Sequence, residues 1–350
     1  MLSLVCQEPG TLKYREETYP VPNPGEVILK MTHLGICGTD LHAFEGNQPF
    51  FQYPRILGHE LAAIVEDPNG AVGFVKGEVV TVIPYFHCGK CIACRKGKTN
   101  CCSSLSVYGV HVDGAMKEYI VVPAYSLVKS SGLTGEELAL VEPVAIGAHG
   151  ITRAAICASD TVLVIGAGPI GLGTILMAKL SGAKVISLDI SEQRLSVAVN
   201  IAKSDATIHP LSENVHEKLL SLTNGDMPDV VIDATGNRTA LNQGFGYMSH
   251  GGRYVLIGLQ KEEIVFSHPE FHKRESTLMS SRNATREDFN VVIKAIAEKR
   301  IDVTPLITQR VPFGNVKEEF PHWLEPGSGV VKAVVEFSNL QSCNQPENSS

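Results

Sequence analysis

Residues 161–178, TVLVIGAGPIGLGTILMA, constrain this chain more than any other segment. The run is uncharged, at the lower edge of what a membrane span requires. Gly166, Gly168, Pro169, Gly171 and Gly173 fall in its middle, where a spanning helix would break, so no membrane segment is expected. The pattern reads instead as an apolar strand, a glycine turn and an apolar helix. Gly166, Gly168 and Gly171 form G-x-G-x-x-G directly after the strand, and Asp189 closes the next strand-like run, KVISLD, near the usual spacing of about 20 residues. Such a turn lets a pyrophosphate approach backbone N–H groups at a helix N-terminus, while the acid accepts from ribose hydroxyls. Gly166, Gly168, Pro169, Ile170, Gly171 and Asp189 are therefore candidate dinucleotide contacts. The charge of Asp189 opposes a 2′-phosphate and favours NAD over NADP; Arg194 acts in the opposite sense.

The rest of the chain fits an α/β protein with more than one domain. Before this segment, short apolar runs broken by Gly and Pro (EVILKMTHLGICG, RILGHELAAIVED, GEVVTVIPY) read as strands, and Gly132 to Ala158 reads as helical. After it, strand-like and helical runs alternate, which implies a parallel sheet covered by helices. A length of 350 residues suits two domains. The formal charge of −7 has the wrong sign for holding phosphate backbones, so nucleic acid is not an expected partner. The start, MLSLVCQEPG, lacks the basic region of a secretory leader, so a cytoplasmic location is expected.

Five of the nine cysteines crowd into HCGKCIACRKGKTNCC: Cys88, Cys91, Cys94, Cys101 and Cys102. In a reducing compartment such a cluster points to metal rather than to disulfides. Short spacings let one loop wrap thiolates around a tetrahedral zinc, and Lys90, Arg95, Lys96 and Lys98 offset the surplus negative charge. The first three ligands would be Cys88, Cys91 and Cys94, followed by Cys101 or Cys102. With four thiolates the site is closed and therefore structural.

ICGTDLH, read as strand-like, holds Cys37, Thr39, Asp40 and His42, and LGHE holds His59 and Glu60. Together with YPRILGHE, the cysteine lobe, Val141-Glu142-Pro143 and GAGPIG with Asp189, these motifs resemble, in order, the zinc-dependent medium-chain dehydrogenase/reductase family over residues 1–337. The resemblance implies a GroES-like, mainly-β catalytic domain interrupted by a Rossmann domain with a doubly wound parallel sheet. The expected boundaries are 1–147 for the first part of the catalytic domain, 148–284 for the NAD-binding domain, 285–337 for the return, and 338–350 for an unstructured tail. It further implies two Zn²⁺ per chain. The catalytic ion falls to Cys37, His59 and Glu142, with Glu60 as an alternative or exchanging ligand; the structural ion falls to Cys88, Cys91, Cys94 and Cys102. Asp40 resembles the carboxylate that orients the zinc-bound histidine. Cys6, Cys101, Cys157 and Cys343 are left without a role.

The implied reaction is hydride transfer from a secondary alcohol to NAD, with the proton leaving through Thr39 and His42. Asp233, Thr235 and Gly236, and then Ser281, Arg282 and Asn283, resemble the segments lining the cofactor cleft. GNQPFFQYPRILGHE and PEFHKRESTLMSSRNATREDF look most like bacterial dehydrogenases acting on hexonates such as L-galactonate or L-gulonate. A carboxylate substrate calls for a bidentate cation; Arg282 is the first candidate and Lys273 the second, with His111 as a contact to a sugar hydroxyl. The alternatives are a sorbitol or other polyol dehydrogenase and, from another class, a non-catalytic NAD- and zinc-binding redox regulator. A homodimer or homotetramer joined through the edge of the cofactor-domain sheet, near GGRYVLIGL and EIVFS, is also implied.

Overall fold

A computed structural model describes residues 1–48, 51–325 and 327–337. The expected tail, with Cys343, lies outside the described residues, as do Pro49 and Phe50 of the GNQPFF stretch.

The uncharged segment forms strand Thr161–Ile165 and helix Pro169–Leu180. No helix among the described residues is long and apolar enough to cross a membrane. The strand lies inside a six-stranded parallel sheet whose order, in chain sequence of its own strands, is 3-2-1-4-5-6. In that arrangement ligands bind outside the carboxyl ends of the strands, where the order reverses. Here the reversal falls between Thr161–Ile165 and Val230–Asp233. A strand buried on both faces must be apolar throughout. Val162 and Val164 accordingly pack into one apolar cluster, and Leu163 and Ile165 into another on the opposite face.

A second sheet of seven strands is largely antiparallel and draws on both ends of the chain. Strand Glu26–Gly35 pairs with Glu60–Asp67, with Tyr119–Pro123 and with the C-terminal Lys332–Glu336. A smaller three-stranded sheet joins Leu2–Glu8 to Thr11–Glu16 and Arg55–Ile56.

The expected helical stretch after Gly132 is two helices, Gly135–Ala139 and Val141–Ala154, so position 147 lies inside the second. Pro143 is tolerated because it stands in the first turn, where its missing N–H has no partner to lose. That helix lies close against Pro169–Leu180, since a Cβ on Gly147 would meet the Thr174 nitrogen at 2.6 Å. The segment carrying Glu142 is thereby fixed relative to the glycine turn.

ICGTDLH corrects a reading. It is not strand but helix Gly38–Phe44, with Cys37 extended at its N-cap and the Asp40 carboxylate accepting the Cys37 N–H at 2.9 Å. An acid at that position satisfies a donor the helix leaves open, and this outweighs the apolar alternation.

Candidate active site

The glycine turn separates three roles. Gly166 adopts φ +97, and a Cβ there would strike Thr235 Cγ2 at 2.7 Å. Gly171 has no room at all: its Cβ would meet the Gly166 carbonyl oxygen at 1.8 Å. Gly168, at the N-cap, has an extended backbone that any residue adopts, and its Cβ would meet nothing within 4 Å. The protein itself does not require glycine at 168, whereas a close-lying pyrophosphate does, so the cradle fits a dinucleotide. Gly171→Ala is expected to unfold the domain. Gly168→Ala should leave the unfolding transition in place and raise the NADH dissociation constant about tenfold, roughly the loss of one backbone hydrogen bond; fluorescence titration and denaturant unfolding check the pair.

Asp189 is buried, with its carboxylate held by the Ala167 N–H at 2.7 Å and the Ser191 N–H at 2.8 Å. Arg194 is exposed on helix Glu192–Asn200. Pro169 and Ile170 open helix Pro169–Leu180. Asp233 is fully buried and accepts from the Thr235 and Gly236 backbones and the Thr235 hydroxyl, shaping the turn beside Gly166. Ser281 is buried, while Arg282 is exposed and Asn283 adopts φ +56, just past the carboxyl end of strand Thr277–Ser280.

The Sγ atoms of Cys88, Cys91, Cys94 and Cys102 lie within 4.8 Å of one another. Cys102 is buried and belongs to the group; Cys101 is exposed and does not. N–H groups of Lys90 and Cys91 lower the Cys88 thiol, and those of Cys94 and Ser103 draw Cys91 down to about 5. Burial pushes the Cys94 thiol the other way, up to about 12. Four reduced thiols gathered this closely, with backbone N–H groups favouring thiolate at Cys88 and Cys91, suit a closed tetrahedral zinc.

A second cluster joins Cys37, His59 and Glu60, again with donor atoms within 4.8 Å. Glu142 borders it: one carboxylate oxygen accepts from the buried Tyr85 hydroxyl. Buried and without a hydrogen-bond partner among the described residues are Glu142 Oε2, Glu60 Oε1 and His59 Nδ1. Burial pushes Glu142 up to about 7. Burial opposes a charge on His59, but the Cys37 and Asp40 charges hold its imidazole well above the usual range. Converging unsatisfied donors of this kind are what a divalent metal would bind.

Asp40 lies beside His59 without hydrogen-bonding to it. Its carboxylate is 3.9 Å from His59 Nδ1, beyond hydrogen-bond reach. It accepts instead from the N–H groups of Cys37 and Gly58, at 2.9 and 3.0 Å. It therefore ties together the two loops that carry Cys37 and His59.

Glu60 owes its position to Gly35, directly opposite on the paired strand, where a Cβ would lie 2.3 Å from Glu60 Oε2. The carboxylate folds over this gap to Lys332 Nζ at 2.5 Å, and the same ammonium donates to the Ile36 carbonyl at 2.9 Å. Thr39 is half-buried, and His42 is exposed with Nδ1 3.3 Å from Glu45 Oε2. His111 Nδ1 accepts the Val107 N–H at 3.0 Å, and its pKa is lowered by burial and by the charges of Arg282 and Arg55. Lys273 is exposed at the end of helix His268–Lys273. Lys332, Tyr85 and Arg55 were not anticipated, because no local pattern marks them.

Residues 23–132 match the model of the alcohol dehydrogenase GroES-like domain, and residues 169–298 that of the zinc-binding dehydrogenase domain. The chain is 42% identical to L-galactonate-5-dehydrogenase of Escherichia coli strain K12, covering 95% of this chain and 98% of that one. It is 31% identical to sorbitol dehydrogenase of Halalkalibacterium halodurans, over 94% of this chain and 98% of that one. Among solved structures, a short chain alcohol dehydrogenase (rspB) from E. coli CFT073, complexed with cofactor NADH, superposes with a TM-score of 0.90 at 31% identity, covering 96% and 99% of the two chains.

Proposed function

Since this chain belongs to the zinc-dependent medium-chain dehydrogenase/reductase family, we propose that it oxidises a secondary alcohol of a sugar acid, a hexonate such as L-galactonate or L-gulonate, with NAD⁺ as the hydride acceptor. The observation that carries the substrate class is its likeness, over nearly its full length, to the E. coli L-galactonate dehydrogenase. Arg55 and Arg282, whose charges both bear on His111, add support as guanidiniums suited to a carboxylate.

Bound zinc supplies the Lewis acidity that lowers the pKa of an alcohol hydroxyl, and bound NAD⁺ supplies the acceptor for the hydride. Cys37, His59 and Glu142 hold the catalytic ion, with Glu60 beside them as a further donor; Cys88, Cys91, Cys94 and Cys102 hold the structural ion. Thr39 Oγ1 would accept the hydroxyl proton while giving up its own to a ribose hydroxyl of the bound dinucleotide, and His42, one turn further along helix Gly38–Phe44, would pass a proton from there to water. Asp189 receives the ribose hydroxyls.

NAD⁺ and NADP⁺ reduction with a panel of hexonates and alditols tests this reading. Turnover of a hexonate with NAD⁺, and a KM for it that rises about tenfold or more in Arg55→Gln, is the expected result. Turnover of alditols alone, unaffected by that substitution, would install the polyol reading that the sorbitol dehydrogenase relative favours. A homodimer or homotetramer is expected along edge strand Thr277–Ser280, where Leu259, Val265, Phe266 and Leu278 are exposed in neighbouring chain segments. Light scattering should then report two or four times 37.7 kDa.

A further inference from the structure

We propose that Asn100, His149 and Asp288 are positioning residues: a buried hydrogen-bonded chain through which the cysteine lobe holds the loop 281–284, and with it the bound dinucleotide. The second half of this statement rests on reading that loop as part of the cofactor cleft.

The three residues come from separate places. Asn100 sits in the short turn Thr99–Cys101, just before Cys102. His149 lies on helix Val141–Ala154, two turns beyond Glu142 and on the same face. Asp288 stands in the first turn of helix Arg286–Ala297. They are 3%, 9% and 5% exposed. His149 Nδ1 is 2.8 Å from Asp288 Oδ2, and its Nε2 is 3.0 Å from Asn100 Nδ2. Asn100 Nδ2 also donates to the Arg282 carbonyl at 2.9 Å.

These contacts fix every proton. A carbonyl only accepts, so the Asn100 atom facing Arg282 is the amide nitrogen. Its second hydrogen then points at His149 Nε2, which must accept, and His149 carries its proton on Nδ1, donating to Asp288. Both hydrogens of the Asn100 amide and both nitrogens of the His149 ring are thereby used. Asp288 Oδ2 also accepts the Thr285 N–H and hydroxyl, both at 2.8 Å, while the Ser281 N–H is held by the Leu256 carbonyl. The loop is thus anchored to the sheet at one end and to a helix cap at the other. Its middle is tied to Asn100 twice: through the Arg282 carbonyl, and through Asn283 Nδ2 to the Asn100 carbonyl at 3.3 Å. Asn283 adopts φ +56, a left-handed conformation that asparagine accommodates and that turns its side chain toward the Asn100 carbonyl. The turn that leads into Cys102, the Glu142 helix and the Arg282–Asn283 loop therefore share one set of hydrogen bonds.

Asn100→Asp tests the chain at nearly constant shape, because it sets a carboxylate oxygen against the Arg282 carbonyl, two acceptors with no hydrogen between them. Three readouts apply: amide hydrogen exchange of peptides covering 281–285 in protein free of nucleotide, NADH affinity by fluorescence, and zinc content. The expected result is exchange at the loop faster by about tenfold and an NADH dissociation constant raised about tenfold. Zinc should stay at its wild-type level, and KM for NAD⁺ should rise while kcat falls less than threefold. Unchanged exchange overturns the clamp; faster exchange with unchanged NADH affinity overturns its role in holding the dinucleotide. If Asn100→Asp does not fold, His149→Asn carries the same expectations, because it keeps a donor toward Asp288 and withdraws the acceptor from Asn100. Neither exchange nor NADH affinity involves an alcohol, so failure of every hexonate would count against the substrate reading alone.

Discussion

Cys37→Ser is expected to lower kcat/KM by about 10³-fold and to remove one zinc per chain while leaving the other. The thiolate is the only soft donor in the cluster of Cys37, His59 and Glu60, and a serine hydroxyl stays protonated where a thiol ionises. A metal's Lewis acidity is worth several kcal/mol of transition-state stabilisation, and at about 1.36 kcal/mol per tenfold that sets the expected loss. The four-thiol site shares no ligand with this cluster, so it should keep its ion and the fold should survive. Metal analysis beside steady-state kinetics checks both halves. Full activity in Cys37→Ser would show that the cluster is not the reacting centre. Loss of both ions would show that the two sites are not independent.

How far such a site is legible in sequence depends on how locally it is encoded. The glycine turn, Asp189 and the cysteine lobe each occupy one continuous stretch, where spacing alone brings the groups together. Cys37, His59 and Glu142 are unremarkable singly and were assembled by resemblance. Nothing in GVVKAVVEF distinguishes Lys332 from a solvent-facing lysine on an alternating strand. Its partner Glu60 is brought to it only by the pairing of Glu26–Gly35 with both flanking strands. Tyr85 and Arg55 escaped for the same reason. Asn100, His149 and Asp288 meet across separate folding units, so no window of sequence contains two of them. The misreading of ICGTDLH has a different origin: there a side chain, Asp40, satisfies backbone N–H groups. Capping bonds of this kind overrode apolar periodicity.

Lys332→Met is expected to cost about 3–5 kcal/mol of stability, because it breaks a buried ion pair by removing one partner. The Lys332 and Glu60 side chains are 2% and 1% exposed and pair at 2.5 Å. Without the ammonium, the Glu60 carboxylate stays buried beside Glu142, already pushed up to about 7 by burial. Burial alone would lower the Lys332 pKa, but the charges of Glu60 and Cys37 outweigh it and raise it above its ordinary value of 10.5. A raised amine pKa means that the stabilisation is fully present below the unfolded value and fades only as pH rises through the folded one. In the wild type the pair should therefore hold across neutral pH and weaken only in strong alkali, whereas the deficit of Lys332→Met in denaturant unfolding should shrink as pH falls, because protonation neutralises the orphaned Glu60 carboxylate. Adding Glu60→Gln removes the orphaned charge, so the double variant should regain much of the loss, with a coupling energy in the cycle of 0.5–3 kcal/mol or about that size. If Lys332→Met unfolds at the wild-type denaturant concentration, the pair is not holding the strand that closes the sheet. If the loss persists undiminished in the double variant, it comes from the lost bond to the Ile36 carbonyl and from packing, not from the stranded carboxylate.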